Sequence, residues 1–237
     1  MLTADSILRK RLSRRMVMAL AYLGGAVGFL LVYATRALPI AEVTQGTAVT
    51  SMSAMLMWLL VPTLWTAHFL RRTIEVLVVH HYNRMMSPAE FIGTSAYYFG
   101  FGIWIAGDLA DAGLAPPANG QLLIGIALFV VGEAGNAWHH LVLKRLRDGN
   151  RRGEFAIPDG GLFRLVSCPH YLFELVGWTG FLALQPNVAT GAFLLVSFVV
   201  LLNRALIRHR AYRTIFDGRQ GRQAYPSQRK ALIPFVI

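Results

Sequence analysis

The 237-residue chain has a single cysteine, Cys168, which rules out an internal disulfide and a cysteine-rich metal site. Charge is scarce at 15% of residues against 55% hydrophobic ones, too little to coat a soluble domain of this length. Acidic residues are scarcest, 12 against 23 Lys and Arg, for a net charge of +11. A Walker loop, a Ser-His-Asp order and a paired acidic dyad are all missing. Gly100-x-Gly102 is no dinucleotide fingerprint, because it follows no strand and lies within an apolar helix, so packing is its reading. The alternating ten-residue segments of a transmembrane β-barrel are also missing, as are repeats and low-complexity stretches.

What is present is a succession of long apolar runs, at roughly Met16–Tyr33, Ala48–Leu70, Pro88–Ala110, Gln121–Leu143, Leu162–Leu184 and Val188–Ile207. They predict an all-α, polytopic transmembrane bundle of about six spans. With a cytoplasmic N-terminus, the inner segments hold 22 of the 23 Lys and Arg, counting Arg164 and Arg204 near the inner span ends. Only Arg36 falls outside, so the bias predicts that both termini face the cytoplasm. The basic stretch RKRLSRR runs into a full-length span with no small-residue cleavage site, and is read as uncleaved. A single domain is the simplest organisation. The positive charge lies in short loops at one face, where anionic lipid accounts for it better than nucleic acid does. Either a bacterial inner membrane or the endoplasmic reticulum fits, and the oligomeric state is open.

Ionisable groups at membrane depth are costly, so each is a candidate for function. In HFLRRTIEVLVVHHY, His68, Arg72 and Glu75 share a helical face. In GEAGNAWHHLVLKRLR, Glu133, Asn136 and His140 form one stripe that Lys144 and Arg147 continue to the inner face. His139 and His140 point to different sides, which argues against a metal site with His170, and none is expected. Gly160–Gly161 marks a flexible turn before the fifth span. VSCPHYLFELVGW then places Pro169 in the first turn of a helix, with Ser167 or Cys168 at its cap and His170 and Tyr171 just inside. A helix start offers free N–H groups to an anion. Tyr171, Glu174 and Trp178 share a face, and a buried Glu174 calls for a cation, which the basic stripe of the fourth span can supply. Arg204, Arg208 and Tyr212 line one side of the last helix. The final AYPSQRKALIPFVI reads as a segment tucked back against the membrane face. Together these residues suit an anionic cofactor from the cytosol and an apolar substrate from lipid.

HFLRRTIEVLVVHHY, GNAWHHLVLKRLR, IPDGGLFRLVSCPHYLFELVGWTGF and YPSQRKALIPFVI resemble the membrane steroid 5α-reductase family over roughly Ala67–Ile237. That family includes the very-long-chain trans-2-enoyl-CoA reductases, and the SCPHY and 68–82 stretches resemble this branch most. The resemblance implies a helix bundle that binds NADPH, with 1–66 holding the basic arm and first spans and 67–237 the cofactor-binding and catalytic core. By similarity, Arg72, Asn136, Arg147, His170, Glu174, Arg204, Arg208 and Tyr212 line the cofactor site. Tyr171 matches the proposed proton donor of the enoyl reductases, with His170 as the second choice. Steroid reductases carry a Tyr where this chain has Phe69 and a Glu in an early span, whereas Glu42 lies beyond the first span here. An acidic cofactor contact of that branch falls at His140. The chain is also shorter than the family by about one N-terminal span.

The expected reaction is reduction of a carbon–carbon double bond conjugated to a carbonyl, in a trans-2-enoyl thioester or, alternatively, a 3-oxo-Δ4 steroid. The partners expected are that apolar enone and membrane lipid. CPHYLFELVGWTGF is also a loose match to membrane methyltransferases that use S-adenosylmethionine. Those show an acidic pair near the final helix end, where this chain reads NRALIRHRAY. A lipid-binding protein without catalysis is a third class, and the cationic cavity argues against it.

Overall fold

The computed structural model describes residues 12–37, 52–80, 85–112, 119–149, 155–219, 221 and 223–237. Glu42, the basic arm through Arg11 and the expected start of the second span at Ala48 lie outside them. Six long helices account for most of what is described: α1 Arg14–Val32, α2 Met52–Val78, α3 Pro88–Ala112, α4 Asn119–Asp148, α5 Pro169–Leu184 and α6 Val188–Ile215. A π-helical turn, Tyr33–Ala37, extends α1, and a two-residue antiparallel ladder pairs Leu12–Ser13 with Met85–Met86. The protein is an all-α membrane helix bundle. α1 with its extension, α4 and α6 are each long and apolar enough to cross a membrane.

One expected span is broken up. The run from Leu162 is not one helix: a 3₁₀ turn, Gly161–Arg164, leads into a short extended stretch, and α5 begins only at Pro169. Proline has no N–H to give and fits the first helical position. The Cys168 carbonyl accepts from the N–H groups of Tyr171 and Leu172, so of the two caps that the sequence allowed, Ser167 and Cys168, it is Cys168 that serves. Gly160 and Gly161 hold φ of +96° and +50°, and a Cβ on Gly161 would lie 2.2 Å from the Trp138 ring. Only glycine suits this turn.

The described residues divide into two compact units. The first holds α1, α2, α3 and residues 184–190. α3 starts with a reciprocal cap: Glu90 N–H donates to Ser87 Oγ (3.2 Å) and Ser87 N–H to the Glu90 carboxylate (2.9 Å). α1 and α3 touch backbone to backbone, since a Cβ on Gly102 would meet the Gly25 carbonyl oxygen at 2.6 Å. Gly102 thus serves packing as expected, against Gly25, whereas nothing lies within 4 Å of a Cβ added at Gly24 or Gly100. Trp65 donates its indole N–H to the Gly25 carbonyl at 3.0 Å, and Phe29, Trp65, Phe69 and Tyr98 fill the core around it.

Arg36, the cation outside the inner segments, pairs with Asp111 at 2.6 Å, both side chains being more than half exposed. Exposed pairs contribute about 0–1 kcal/mol. Asp111→Asn is therefore expected to leave thermal stability in detergent nearly unchanged. A shift in the midpoint of more than a few degrees would contradict that.

The second unit holds α4 from residue 123, α5 through residue 183, α6 from residue 191, and the tail to Ile237. The crossing of α4 and α5 is tight. A Cβ on Gly132 would lie 2.3 Å from Gly177 N, and one on Gly180 would lie 2.5 Å from Phe129 N. α5 and α6 share an apolar cluster of Leu175, Leu201 and Ala205 with Cys168, and Ala231 and Leu232 of the tail pack into it.

Candidate functional site

The α4–α5 crossing brings a polar group out of each helix. Asn136 is wholly buried, and its amide donates to the His170 carbonyl at 2.8 Å and to Glu174 Oε2 at 3.3 Å. Proximity follows from the bare glycines: with Gly132 one turn before Asn136 and Gly177 one turn after Glu174, the backbones approach closely enough for a short side chain to span the gap. The cation expected beside Glu174 is not what holds it. A neutral amide does, because Asn136 faces α5 while the Lys and Arg of α4 lie further toward its C-terminal end.

His170 is buried and its ring lies 5.2 Å from that of His140 and 4.2 Å from that of Tyr171. His139 turns the other way, stacks on Phe173 and donates Nδ1–H to the Gly135 carbonyl at 2.6 Å. The two histidines therefore diverge as their spacing implied. Tyr171 is half-buried, and its ring packs against the α5–α6 cluster. The charges of Arg204 and Arg208 act on Tyr171, and those of Arg208 and Arg147 act on Tyr212. Arg208 thus acts on both tyrosines, and Tyr171 packs on the cluster that holds Cys168.

The start of α5 is not the open anion site that its sequence suggested. Ser167 N–H donates to the Lys230 carbonyl (2.8 Å) and Cys168 N–H to the Ala231 carbonyl (3.2 Å). Lys230 N–H returns a bond to the Leu165 carbonyl at 2.9 Å, which makes a short parallel bridge at Val166. The tail tucks back as expected, but onto the α5 start. Arg229 fastens it further, donating to the Pro158 carbonyl at 2.7 Å with its guanidinium over the Tyr225 ring.

The sequence model of the 3-oxo-5-alpha-steroid 4-dehydrogenase family matches residues 115–237, just over half of the chain. The chain belongs to this family. The match takes in α4, α5, α6 and the tail, and with them every second-unit residue described above. A probable very-long-chain enoyl-CoA reductase of Caenorhabditis elegans is 32% identical over 181 residues, covering 73% of this chain and 57% of that protein. A very-long-chain enoyl-CoA reductase of Dictyostelium discoideum is 29% identical over 174 residues, with 73% and 56% covered. The mouse 3-oxo-5-alpha-steroid 4-dehydrogenase 2 is 30% identical over 179 residues, with 73% and 66% covered. The chain spans between half and two thirds of the length of these relatives.

Of the expected site residues, the family region thus joins Asn136, His170 and Glu174 by direct hydrogen bonds. It gathers Tyr171, Arg147, Arg204, Arg208 and Tyr212 by charge. Arg72 belongs to the first unit. There it is buried and bonded to Glu75, which also pairs with Arg71, and it donates to Tyr22 Oη at 3.2 Å. The sequence did not point to Ser167 as more than a cap, nor to His209 and Tyr225. Ser167 Oγ lies 2.6 Å from His209 Nδ1 and 2.7 Å from Tyr225 Oη. Residues so far apart in sequence leave no periodic signal.

Proposed function

We propose that this chain is a multi-pass membrane reductase, N-terminus and C-terminus inside, that uses NADPH to reduce a double bond conjugated to a carbonyl in a lipid substrate. A trans-2-enoyl thioester is the favoured substrate. The observation that carries the reading is the Asn136–His170–Glu174 joint, which lies within the region shared with reductases. The donor set suits the cofactor. Glu174, steadied by the Asn136 amide, presents a carboxylate to a carboxamide N–H. Arg204 and Arg208 act on Tyr171, and Arg208 and Arg147 on Tyr212, with the positive charge that phosphates need.

When bound, NADPH supplies the hydride that adds to the β-carbon of the double bond. Negative charge then grows on the carbonyl oxygen, where a fixed donor lowers the barrier. Tyr171 gives its hydroxyl proton to the α-carbon, a phenol of reference pKa about 10 being a protonated donor at neutral pH. His170, in ring contact with it, is the second candidate acid. The apolar faces of the helices exclude water, which would compete for that proton.

Phe69 favours the thioester over a steroid. It is wholly buried among Tyr22, Trp65 and Tyr98, and it brings no hydroxyl. The likeness to the mouse steroid enzyme keeps the steroid as the second reading. Purified protein in detergent, offered a long-chain trans-2-enoyl-CoA and separately a 3-oxo-Δ4 steroid, is expected to oxidise NADPH with the thioester at a rate at least about tenfold higher, a difference of roughly 1.4 kcal/mol in transition-state binding. Turnover of the steroid alone would reverse the substrate assignment. Absence of NADPH binding would reject the reductase and favour a methyltransferase.

A further inference from the structure

Each reduction consumes one proton besides the hydride, so Tyr171 must be recharged from the cytosol after every turnover. Ser167, His209 and Tyr225 form an unbroken row of hydrogen bonds, at 2.6 and 2.7 Å, made only of groups that both give and take a proton. A row built only to hold the tail would not need that property, since amides and carbonyls serve as well. One end of the row, His209, is half-buried and lies between the exposed Arg208 and Arg210 on α6, with the cations Arg213 and Lys230 acting on it. At the other end, the ring of Tyr225 lies parallel to that of Tyr212, within 1° and at 5.4 Å. The charge of Arg208 acts on both Tyr212 and Tyr171. Ser167 itself directly precedes Cys168, on whose cluster the Tyr171 ring packs.

We propose that His209, Ser167 and Tyr225 relay protons from the cytosolic face toward Tyr171, through the neighbourhood of Tyr212. The inference rests on the reductase reading. His209 takes a proton from water at Nε2 and releases its Nδ1 proton to Ser167 Oγ. Ser167 passes its own hydroxyl proton to Tyr225 Oη, and Tyr225 passes its own, by way of the hydroxyl of the Tyr212 ring it stacks on, to the phenolate left on Tyr171. Each transfer breaks one N–H or O–H bond and makes another. One proton enters for each one delivered, and the electrons come only from NADPH. The three residues position and supply protons; none of them touches the substrate.

The test compares His209→Gln, which can keep a bond to Ser167 but cannot carry a proton, with Ser167→Ala, Tyr225→Phe and His209→Ala. Rapid-mixing absorbance separates the first turnover, for which Tyr171 already holds its proton, from later ones. The first turnover is expected at the wild-type rate. Steady-state turnover is expected to fall roughly 10- to 100-fold, at or below the lower end of a direct acid–base contribution. The solvent deuterium isotope effect should grow, and free imidazole should restore part of the rate in His209→Ala. NADPH affinity and the thermal midpoint, read without substrate, should hold in His209→Gln. Unchanged steady-state turnover in all four variants would overturn the relay. So would losses that track affinity or thermal midpoint and ignore imidazole, since these would mark a fastening for the tail. A wild-type protein that oxidises no NADPH with any enone overturns the relay and the reductase reading together.

Discussion

Replacing Tyr171 by Phe is expected to lower kcat by about 10²- to 10⁴-fold, the range for removing a positioned acid. KM for the enone and the affinity for NADPH should stay within about threefold, because a bonding group used only in the transition state moves kcat and kcat/KM together. The structure explains why this substitution is a clean one. The Tyr171 ring packs on the apolar cluster of Cys168, Leu175, Leu201, Ala205, Ala231 and Leu232, and phenylalanine keeps that packing. The thermal midpoint in detergent should therefore hold, and single-turnover absorbance at 340 nm, a property of reduced nicotinamide, reads the chemical step directly. Full turnover in the variant with NADPH still bound would transfer the acid role to His170. His170→Asn would then show the loss instead.

The second large effect is expected far from any reacting atom. A methyl group at Gly132 would lie 2.3 Å from Gly177 N, 2.4 Å from Gly177 Cα and 2.7 Å from the Phe173 carbonyl oxygen. These obstacles are backbone, and no rotamer change removes them. α4 and α5 must move apart, at a cost at or above the roughly 1–3 kcal/mol of ordinary overpacking. Asn136, one turn along, then loses its reach to the His170 carbonyl and Glu174. Gly132→Ala is expected to lower the thermal midpoint by several degrees and to weaken NADPH binding at least about tenfold, or roughly 1.4 kcal/mol. Gly100→Ala serves as the control. Nothing lies within 4 Å of its added carbon, and alanine favours a helix over glycine by about 1 kcal/mol. It should leave binding unchanged and stability unchanged or slightly raised. Equal behaviour of the two variants would mean that the α4–α5 approach does not hold the site.

Much of this molecule was open to reading from its residues. Long apolar runs named the six helices, because a chain in lipid must satisfy its backbone within each segment. The i, i+3 spacing put Asn136 on the face that meets α5, and Pro169 fixed where α5 starts. Partner choice was less open. Charge counting gave Glu174 a cation, but which side chain reaches it depends on how close two helices come, and two glycines in different helices set that distance. The α5 start looked like a free anion site because the tail carbonyls that occupy it lie at the other end of the sequence. Ser167, His209 and Tyr225 escaped notice for the same reason. Their contact arises from the fold of the tail, and no local pattern encodes it.

The tail bonds also bear on how the protein is made. Until Lys230 and Ala231 arrive, Ser167 and Cys168 have backbone donors without their final acceptors. Synthesis at about 5–20 residues per second leaves that interval at several seconds. The backbone that leads into His170 and Tyr171 therefore completes its bonds only once residues 230 and 231 are made, and truncation ahead of them removes both acceptors.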